Sequence, residues 1–227
     1  MNKELAKVLR DRLNGNLSFV DKYAGLVQTV EFKQEQDGGV GVRKRMPVTV
    51  ESVIEGTCAN YEVQMVPDSN NIGILYFEDG ATIPNGRKNQ RYNYTSYLTL
   101  VCWINKSRFK TNVYEEISAM AINDIIQKLR AEQNPENVSF FTGLFVEISR
   151  IPKQDAALFS KYTYDETLTQ YLRPPFEFFG IELKCSYAIN PQCIGEIAID
   201  RTCYDGEEPQ EEEIPENENP EFENTEL

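Results

Sequence analysis

Apolar residues follow strand-like and helix-like spacings along most of the first 190 residues, and the longest such unit covers residues 92–132. Residues 94–104 are rich in β-branched and aromatic side chains and are apolar on both alternating faces, which predicts a central strand covered on both sides. The residues that follow repeat apolar positions at helical spacing, which predicts an amphipathic helix. The two strand faces are Leu98, Leu100, Cys102 and Ile104, and Tyr97, Val101 and Trp103; the helical stripe is Ile117, Met120, Ala121, Ile122, Ile125, Ile126 and Leu129.

The other elements are predicted from the same periodicities and from turn residues. A capping box of Asn112 and Glu115 predicts the start of the long helix, and Asn134-Pro135 predicts its end. Pro47 places the second strand near a sheet edge. The elements are a helix over 2–14, a short helical turn over 17–25, a hairpin of strands 26–33 and 40–50 around the turn 37–39, strands over 58–66 and 73–77, an exposed loop over 80–91, and strands over 140–149, 176–189 and 197–203.

These elements predict an α/β (α+β) fold, a mixed and mainly antiparallel sheet flanked by two helices. We expect one α/β domain over residues 1–190, a short extension with one strand over 191–206, and an acidic tail over 207–227.

Composition narrows the chemistry that this domain can perform. The chain has no histidine, which excludes Ser-His-Asp, Cys-His and imidazole-based catalysis. Its five cysteines are odd in number and widely spaced, which favours free thiols over disulfides or zinc. No secretory signal and no membrane-length apolar run is present. Catalysis by carboxylates or a lysine stays open as an alternative, and we expect no enzyme, no cofactor, no metal and no membrane association.

Charge is concentrated at the C-terminal end. The net charge is −13, and residues 207–227 hold ten Glu and no Asp, Lys or Arg, so residues 1–206 carry −13 + 10 = −3. Duplex DNA binding needs clustered Lys and Arg, and this balance does not predict it. The tail, represented by Glu211, Glu212 and Glu213, is expected to bind a basic surface.

The long connection over residues 151–175 is the strongest candidate for partner binding. A connection of this length in a compact domain is usually functional or disordered, and its aromatic residues argue against disorder. Exposed aromatics would provide a surface for a partner; the alternative is that the segment folds back as a short helix onto its own sheet. The candidate contact residues are Phe159, Lys161, Tyr162, Tyr164, Asp165, Glu166, Tyr171 and Arg173.

Two further groups of charged residues allow a functional and a structural interpretation. The basic triplet Arg43, Lys44 and Arg45 could contact an acidic partner, or it could keep an edge strand solvated. The carboxylate pairs Glu78-Asp79 and Asp165-Glu166 could serve acid–base or metal chemistry. Adjacent residues point apart on an extended chain, which favours solvated loops for both pairs.

The order of helix, strands, central strand, helix, strand, long loop and strand resembles the tail terminator and tail-completion (neck or ring) proteins of tailed bacteriophages. The similarity extends to versions from phages of Bacteroidales hosts, including crAss-like phages, and covers about residues 1–190. The stretches that carry it are residues 5–13, Val66-Pro67, 74–79, 97–105, 140–149 and 176–187.

The resemblance implies a structural role in the virion, assembled in the host cytoplasm. The chain would form a sixfold or twelvefold ring at the head–tail joint that connects the portal or adaptor to the tail or tail tube. Genomic DNA would pass through its channel without specific binding. The alternative is a cytosolic adaptor whose acidic tail docks a basic partner.

Overall fold

The computed structural model describes residues 1–35, 41–50, 64–88, 91–109, 117–131, 141–152, 156–163 and 169–189. All of them belong to one compact unit, Met1–Glu196, and Ile197–Leu227 forms a separate unit. The helices are α1 (Asn2–Leu13) and α2 (Ile117–Ala131), and the strands are β1 (Lys22–Glu35), β2 (Gly41–Thr49), β3 (Gly73–Lys88), β4 (Arg91–Asn105), β5 (Phe141–Arg150) and β6 (Phe176–Ile189).

The six strands form one mixed sheet in the order β2-β1-β3-β4-β6-β5. β1 and β3 are parallel, and the other neighbouring pairs are antiparallel. The predictions of an α+β fold, a central β4, an antiparallel hairpin of β1 and β2, and a β2 at the sheet edge are confirmed.

The two helices cover one face of the sheet. In α1, Leu5, Leu9 and Leu13 recur at helical spacing and are fully buried against the sheet. The even-numbered apolar residues of β4 and the odd-numbered ones of β6 form the opposing surface, as their alternation predicts. In α2 the predicted stripe is buried except at Ile126, which is half-buried, and at Met120, which is 64% exposed. Met120 lies one residue, and so about 100°, from Ala121 around the helix.

The predicted helical turn over 17–25 is wrong, because β1 begins at Lys22. Its start is fixed by Asp21, whose carboxylate accepts the amide protons of Ile72 at 2.9 Å and Gly73 at 3.1 Å. The Asp21 amide donates to the Gly73 carbonyl at 3.1 Å. These bonds place β1 beside β3 in parallel, and this long-range pairing overrides local helical spacing.

The predicted loop over 80–91 is also wrong, because β3 continues to Lys88 and pairs with β4 up to Arg91. The register shifts after Asp79 and after Pro84, and Gly86 has φ 88°. Glycine and proline here mark bulges inside a strand rather than a loop.

β1 and β3 separate beyond Val27 and Glu78, the last residues that pair between them. Both strands continue in the same direction, each with its antiparallel partner, β2 or β4. The β1–β2 arm therefore extends about 25 Å past the separation, for the eight residues from Gln28 to Glu35. We call the end of the sheet where β3 ends and β4 begins the distal end, and the opposite end proximal.

Several predicted features lie outside the described residues. These are the capping box of Asn112 and Glu115, the helix end at Asn134-Pro135, most of the strand over 58–66, the strand over 197–203 and the acidic tail.

Candidate functional site

The segment between β5 and β6 spans residues 151–175, and its described residues, 151–152, 156–163 and 169–175, lie on the face of the sheet opposite the helices; we call these described residues the strap. The Pro152 carbonyl accepts the Gly180 amide at 2.8 Å, which fixes the start of the strap beside β6. A short 3₁₀ helix, Ala156–Leu158, follows. Leu158, Phe159 and Tyr162 are buried against residues of β1, β3, β4 and β6, and so the strap forms a second hydrophobic core.

Glu78 of β3 holds the middle of the strap. This side chain is buried, with the residue 8% exposed. One carboxylate oxygen accepts the Tyr162 hydroxyl at 2.6 Å, and the other contacts the Lys161 ammonium at 2.7 Å. The Thr163 amide then donates to the Arg45 carbonyl of β2 at 2.9 Å. The strap thus extends from β6 to β2 at the edge of the sheet. It is bonded to β3 through Glu78 and to β2 through Arg45.

The strap returns to the sheet at Trp103. The indole Nε1 donates to the Tyr171 carbonyl at 2.7 Å, and Phe176 stacks on the indole with ring centroids 5.2 Å apart. Lys106 and Glu177, both mostly buried, form an ion pair next to this contact. The proximal half of this sheet face is therefore covered by the protein's own chain.

The expectation that the strap exposes its aromatic residues to a partner is wrong for those described. Phe159 is 5% exposed and Tyr162 is 7% exposed, and Tyr171 is half-buried against Trp103. The apolar surface of β4 needed cover, and the strap supplies it. Lys161 and Arg173 are exposed; Tyr164, Asp165 and Glu166 lie outside the described residues.

The bond between Tyr162 and Glu78 should contribute measurably to stability. Tyr162→Phe leaves the ring in place and removes a hydrogen bond to a buried carboxylate, so we expect the free energy of unfolding to fall by about 1.5–3 kcal/mol. Tyr171→Phe is the control in the same strap, because that hydroxyl is 3.5 Å from Ser69 Oγ at an exposed site. Urea unfolding of both variants measures the difference; equal losses would contradict the role given to Glu78.

The basic triplet lies on β2, at the edge of the sheet. Arg43 and Arg45 are exposed and contact Glu31 of the neighbouring β1 at 3.4 Å and 3.5 Å. The edge position agrees with the solvated-edge interpretation, although the Arg45 and Pro47 carbonyls accept amides of Thr163 and Met65. Glu211, Glu212 and Glu213 lie outside the described residues.

The carboxylates and thiols within the described ranges do not converge on a reactive centre. Glu78 and Asp79 lie within a strand, not beside a turn, and point apart: Asp79 is exposed and accepts Asn2 Nδ2 at 2.6 Å. Burial raises the pKa of the Cys185 thiol to about 12 and also raises the pKa of Cys102. No group of three His, Cys, Asp or Glu that could hold a metal occurs in these ranges.

The distal end of the β3–β4 hairpin carries a second group of three cations, in a stretch that the sequence predicted to be an exposed loop. Arg87, Lys88 and Arg91 are exposed at one end of the hairpin, because Arg87 pairs with Tyr92 and Lys88 with Arg91. Lys88 and Arg91 share one face of the hairpin, and Arg87 lies on the other beside Tyr92. Within the described chain none of the three forms an ion pair. The sequence contains one sign of this basic surface, because no Asp or Glu occurs between Asp79 and Glu115.

A shallow cleft of about 340 Å³ adjoins this triplet on the sheet. Its polar lining comes from four strands and includes Asn85, Arg91, Asn93, Thr142 and Ser186, with no carboxylate. A second cleft, of about 390 Å³, lies where β1 and β3 separate, and there Glu78, Asp79 and Lys161 contribute to the lining. The two clefts therefore differ in charge: the distal one offers only positive and neutral groups.

Neither described helix is long and apolar enough to cross a membrane. No protein-family model matches the chain, and no curated protein matches it in sequence.

Proposed function

We propose that this chain is a structural subunit of a tailed-bacteriophage particle, present in a sixfold or twelvefold ring at the head–tail joint or tail top. In this role it connects the portal or adaptor to the tail, and the genome passes through the channel of the ring. The role is mechanical and involves no reaction. The order of elements that carries the resemblance, from α1 through the long β4 to the strap and β6, supports the proposal.

The observation that favours self-assembly is the β1–β2 arm. Beyond Val27, β1 has only β2 as a neighbour among the described strands. β2 is also bonded to Met65 and Thr163 as far along the arm as Arg45, and Gln28, Thr29 and Glu31 are exposed. A two-stranded hairpin alone is marginally stable in water. An arm of this length gains stability when another subunit packs on it, and a contact between an arm and a different surface of the next copy is the head-to-tail type that closes rings.

The two faces of the arm have different chemistry. Glu31 lies with Arg43 and Arg45 on the charged face. Val30 pairs with Met46 on the opposite face, and both are only half-buried. Such an arm has an apolar side for a neighbouring subunit and a charged side for solvent.

Ring formation is tested by native mass spectrometry of the full-length protein. We expect an assembly of six or twelve copies, and Val30→Lys with Met46→Lys to shift it to monomers while circular dichroism stays unchanged. The control is Thr29→Lys, which places a charge at an exposed position on the opposite, charged face of the same arm and should leave the assembly intact. A wild-type monomer under all conditions would contradict the ring and favour the adaptor alternative.

The position in the particle needs a separate measurement. Quantitative mass spectrometry of purified phage particles should give this chain at one-half or one copy per portal subunit, as a six- or twelve-copy ring requires. Its absence from the particles would overturn the proposal.

A further inference from the structure

We propose that the distal end of the β3–β4 hairpin is a binding site for the phosphate backbone of nucleic acid, formed by Arg87, Lys88 and Arg91. This site lies on the surface of a single chain and does not require the ring. It concerns a part of the protein where the charge balance is opposite to that of the whole molecule.

The first observation is local charge. In a chain of net charge −13, the stretch between Asp79 and Glu115 has no acidic residue. Its three distal cations are brought to one hairpin end by the pairing of Lys88 with Arg91. Cations of a folded surface usually have acidic neighbours, and a group without them attracts phosphates.

The second observation is the contrast between the two basic triplets of the chain. Arg45 pairs directly with Glu31 across the strands and Arg43 lies diagonally from it, and the Glu31 carboxylate contacts both. Arg87, Lys88 and Arg91 have no such neighbour in the described part of the chain. The distal cations therefore need not lose an intramolecular ion pair when they bind an anion.

The third observation is the chemistry beside the triplet. Arg91 also lines the distal cleft, where Asn85, Asn93, Thr142 and Ser186 contribute polar groups. Asn85 Nδ2 is bonded to Thr95 Oγ1 at 2.7 Å, which fixes its position. The Arg87 guanidinium lies 5.5 Å from the centre of the Tyr92 ring, and Tyr92 is 40% exposed. Arginine, amide and hydroxyl groups are the usual donors to phosphate oxygens. No carboxylate lines this cleft, so none would repel a bound phosphate.

An acidic peptide is the other ligand that such charges could attract. The distal cleft is open and lined by residues of four strands, whereas the hairpin end is two strands wide and bears cations at Arg87 and Lys88 of one strand and Arg91 of the other. Phosphates along one DNA strand recur at short and regular spacing, so several can meet a narrow cationic end at once. This favours nucleic acid, and a direct comparison with an acidic peptide of equal charge separates the two outcomes.

The test is fluorescence anisotropy of the full-length protein with a labelled DNA duplex. With three phosphate contacts, a plot of the logarithm of the association constant against the logarithm of the salt concentration should have a slope of about −2.7. The affinity should therefore drop about 40-fold between 50 mM and 200 mM salt. Two duplexes of unrelated sequence should bind equally, because phosphate contacts carry no sequence information. An acidic peptide of equal charge should bind at least tenfold more weakly; equal or tighter peptide binding would overturn the proposal.

The two basic triplets provide a matched pair of variants. Arg87→Gln, Lys88→Gln and Arg91→Gln together should weaken binding at least tenfold and bring the salt slope close to zero. Arg43→Gln, Lys44→Gln and Arg45→Gln change the net charge by the same amount and should leave affinity within about twofold. All six side chains are on strands near the surface, and circular dichroism checks that both variants fold.

Two results would overturn the proposal. One is the absence of duplex binding by the wild-type protein at 50 mM salt, and the other is an equal loss in the two triplet variants, which would assign the binding to overall charge. Both results are independent of the ring, because the copy number is measured without DNA and a monomer can still bind a duplex.

Discussion

Replacing Trp103 with alanine should lower the free energy of unfolding by about 3–5 kcal/mol, the range found for large aromatic residues removed from a core. The indole is 1% exposed and stacks on Phe176, and its N–H donates to the Tyr171 carbonyl. The substitution leaves a cavity under the returning end of the strap and an unpaired carbonyl within it. Urea unfolding followed by circular dichroism measures the loss, since the chain has one tryptophan and the variant has none.

Tyr97→Ala is the matched control for this prediction. Tyr97 belongs to the same strand and the same face as Trp103, but it is 36% exposed because the strap does not cover that part of the sheet. We expect a loss below about 1 kcal/mol, which is usual for a residue with little buried contact. Similar losses in the two variants would contradict the conclusion that the strap covers only the proximal half of this face.

Gly73→Ala should destabilise the protein by about 2–3 kcal/mol, because the backbone leaves no room for a side chain. A Cβ at this position would lie 2.2 Å from the Phe19 carbonyl oxygen and 3.1 Å from that of Trp103. Neither oxygen can move without disturbing the start of β1 or the end of β4. Thermal unfolding of the variant should show a clear decrease in the transition temperature.

Gly180→Ala is a useful comparison, because its Cβ would meet side chains rather than backbone. The nearest atoms are Leu158 Cδ2 at 2.8 Å and Pro152 Cγ at 3.0 Å. Leu158 can change rotamer, so a loss near 1 kcal/mol is expected. If Gly180→Ala lowers the free energy of unfolding more than Gly73→Ala does, the side chains of Leu158 and Pro152 yield less than the backbone around Gly73. That result would contradict this prediction.

Local patterns were sufficient to predict the elements that have a regular apolar period. The alternation in β6, the two apolar faces of β4 and the stripe of α1 are all read correctly, because each depends on residues that are close in sequence. The fold class follows from their order. The edge position of β2 was also predictable, since Pro47 cannot donate to a neighbouring strand.

The errors occur where distant residues decide the structure. β1 begins at Lys22 because Asp21 bonds to Ile72 and Gly73, a contact that no local window contains. β3 continues through Gly80, Pro84 and Gly86 because β4 supplies a partner along its length. The aromatic residues of the strap were taken as exposed, although the apolar face of β4 that they cover had itself been recognised.

The candidate sites were predicted less well than the fold. A triplet of adjacent cations, Arg43 to Arg45, is conspicuous in the sequence, whereas Arg87, Lys88 and Arg91 are brought together only by the hairpin. The compensating charge of Glu31 is likewise visible only in the paired strands. The absence of acidic residues after Asp79 was the one local signal for the distal site.

The position of β6 has a consequence for how the protein is made. β6 is the last described strand in the chain, yet it lies between β4 and β5 and pairs with β4 over its whole length, from Asn105 with Phe176 to Tyr92 with Ile189. Until β6 has left the ribosome, β4 has an open edge rich in apolar residues, and β5 lacks the neighbour with which it pairs. Such edges join readily to strands of other chains. The nascent protein is therefore most prone to such pairing before β6 emerges, and β6 removes this risk by covering the edge of β4 and providing a neighbour for β5.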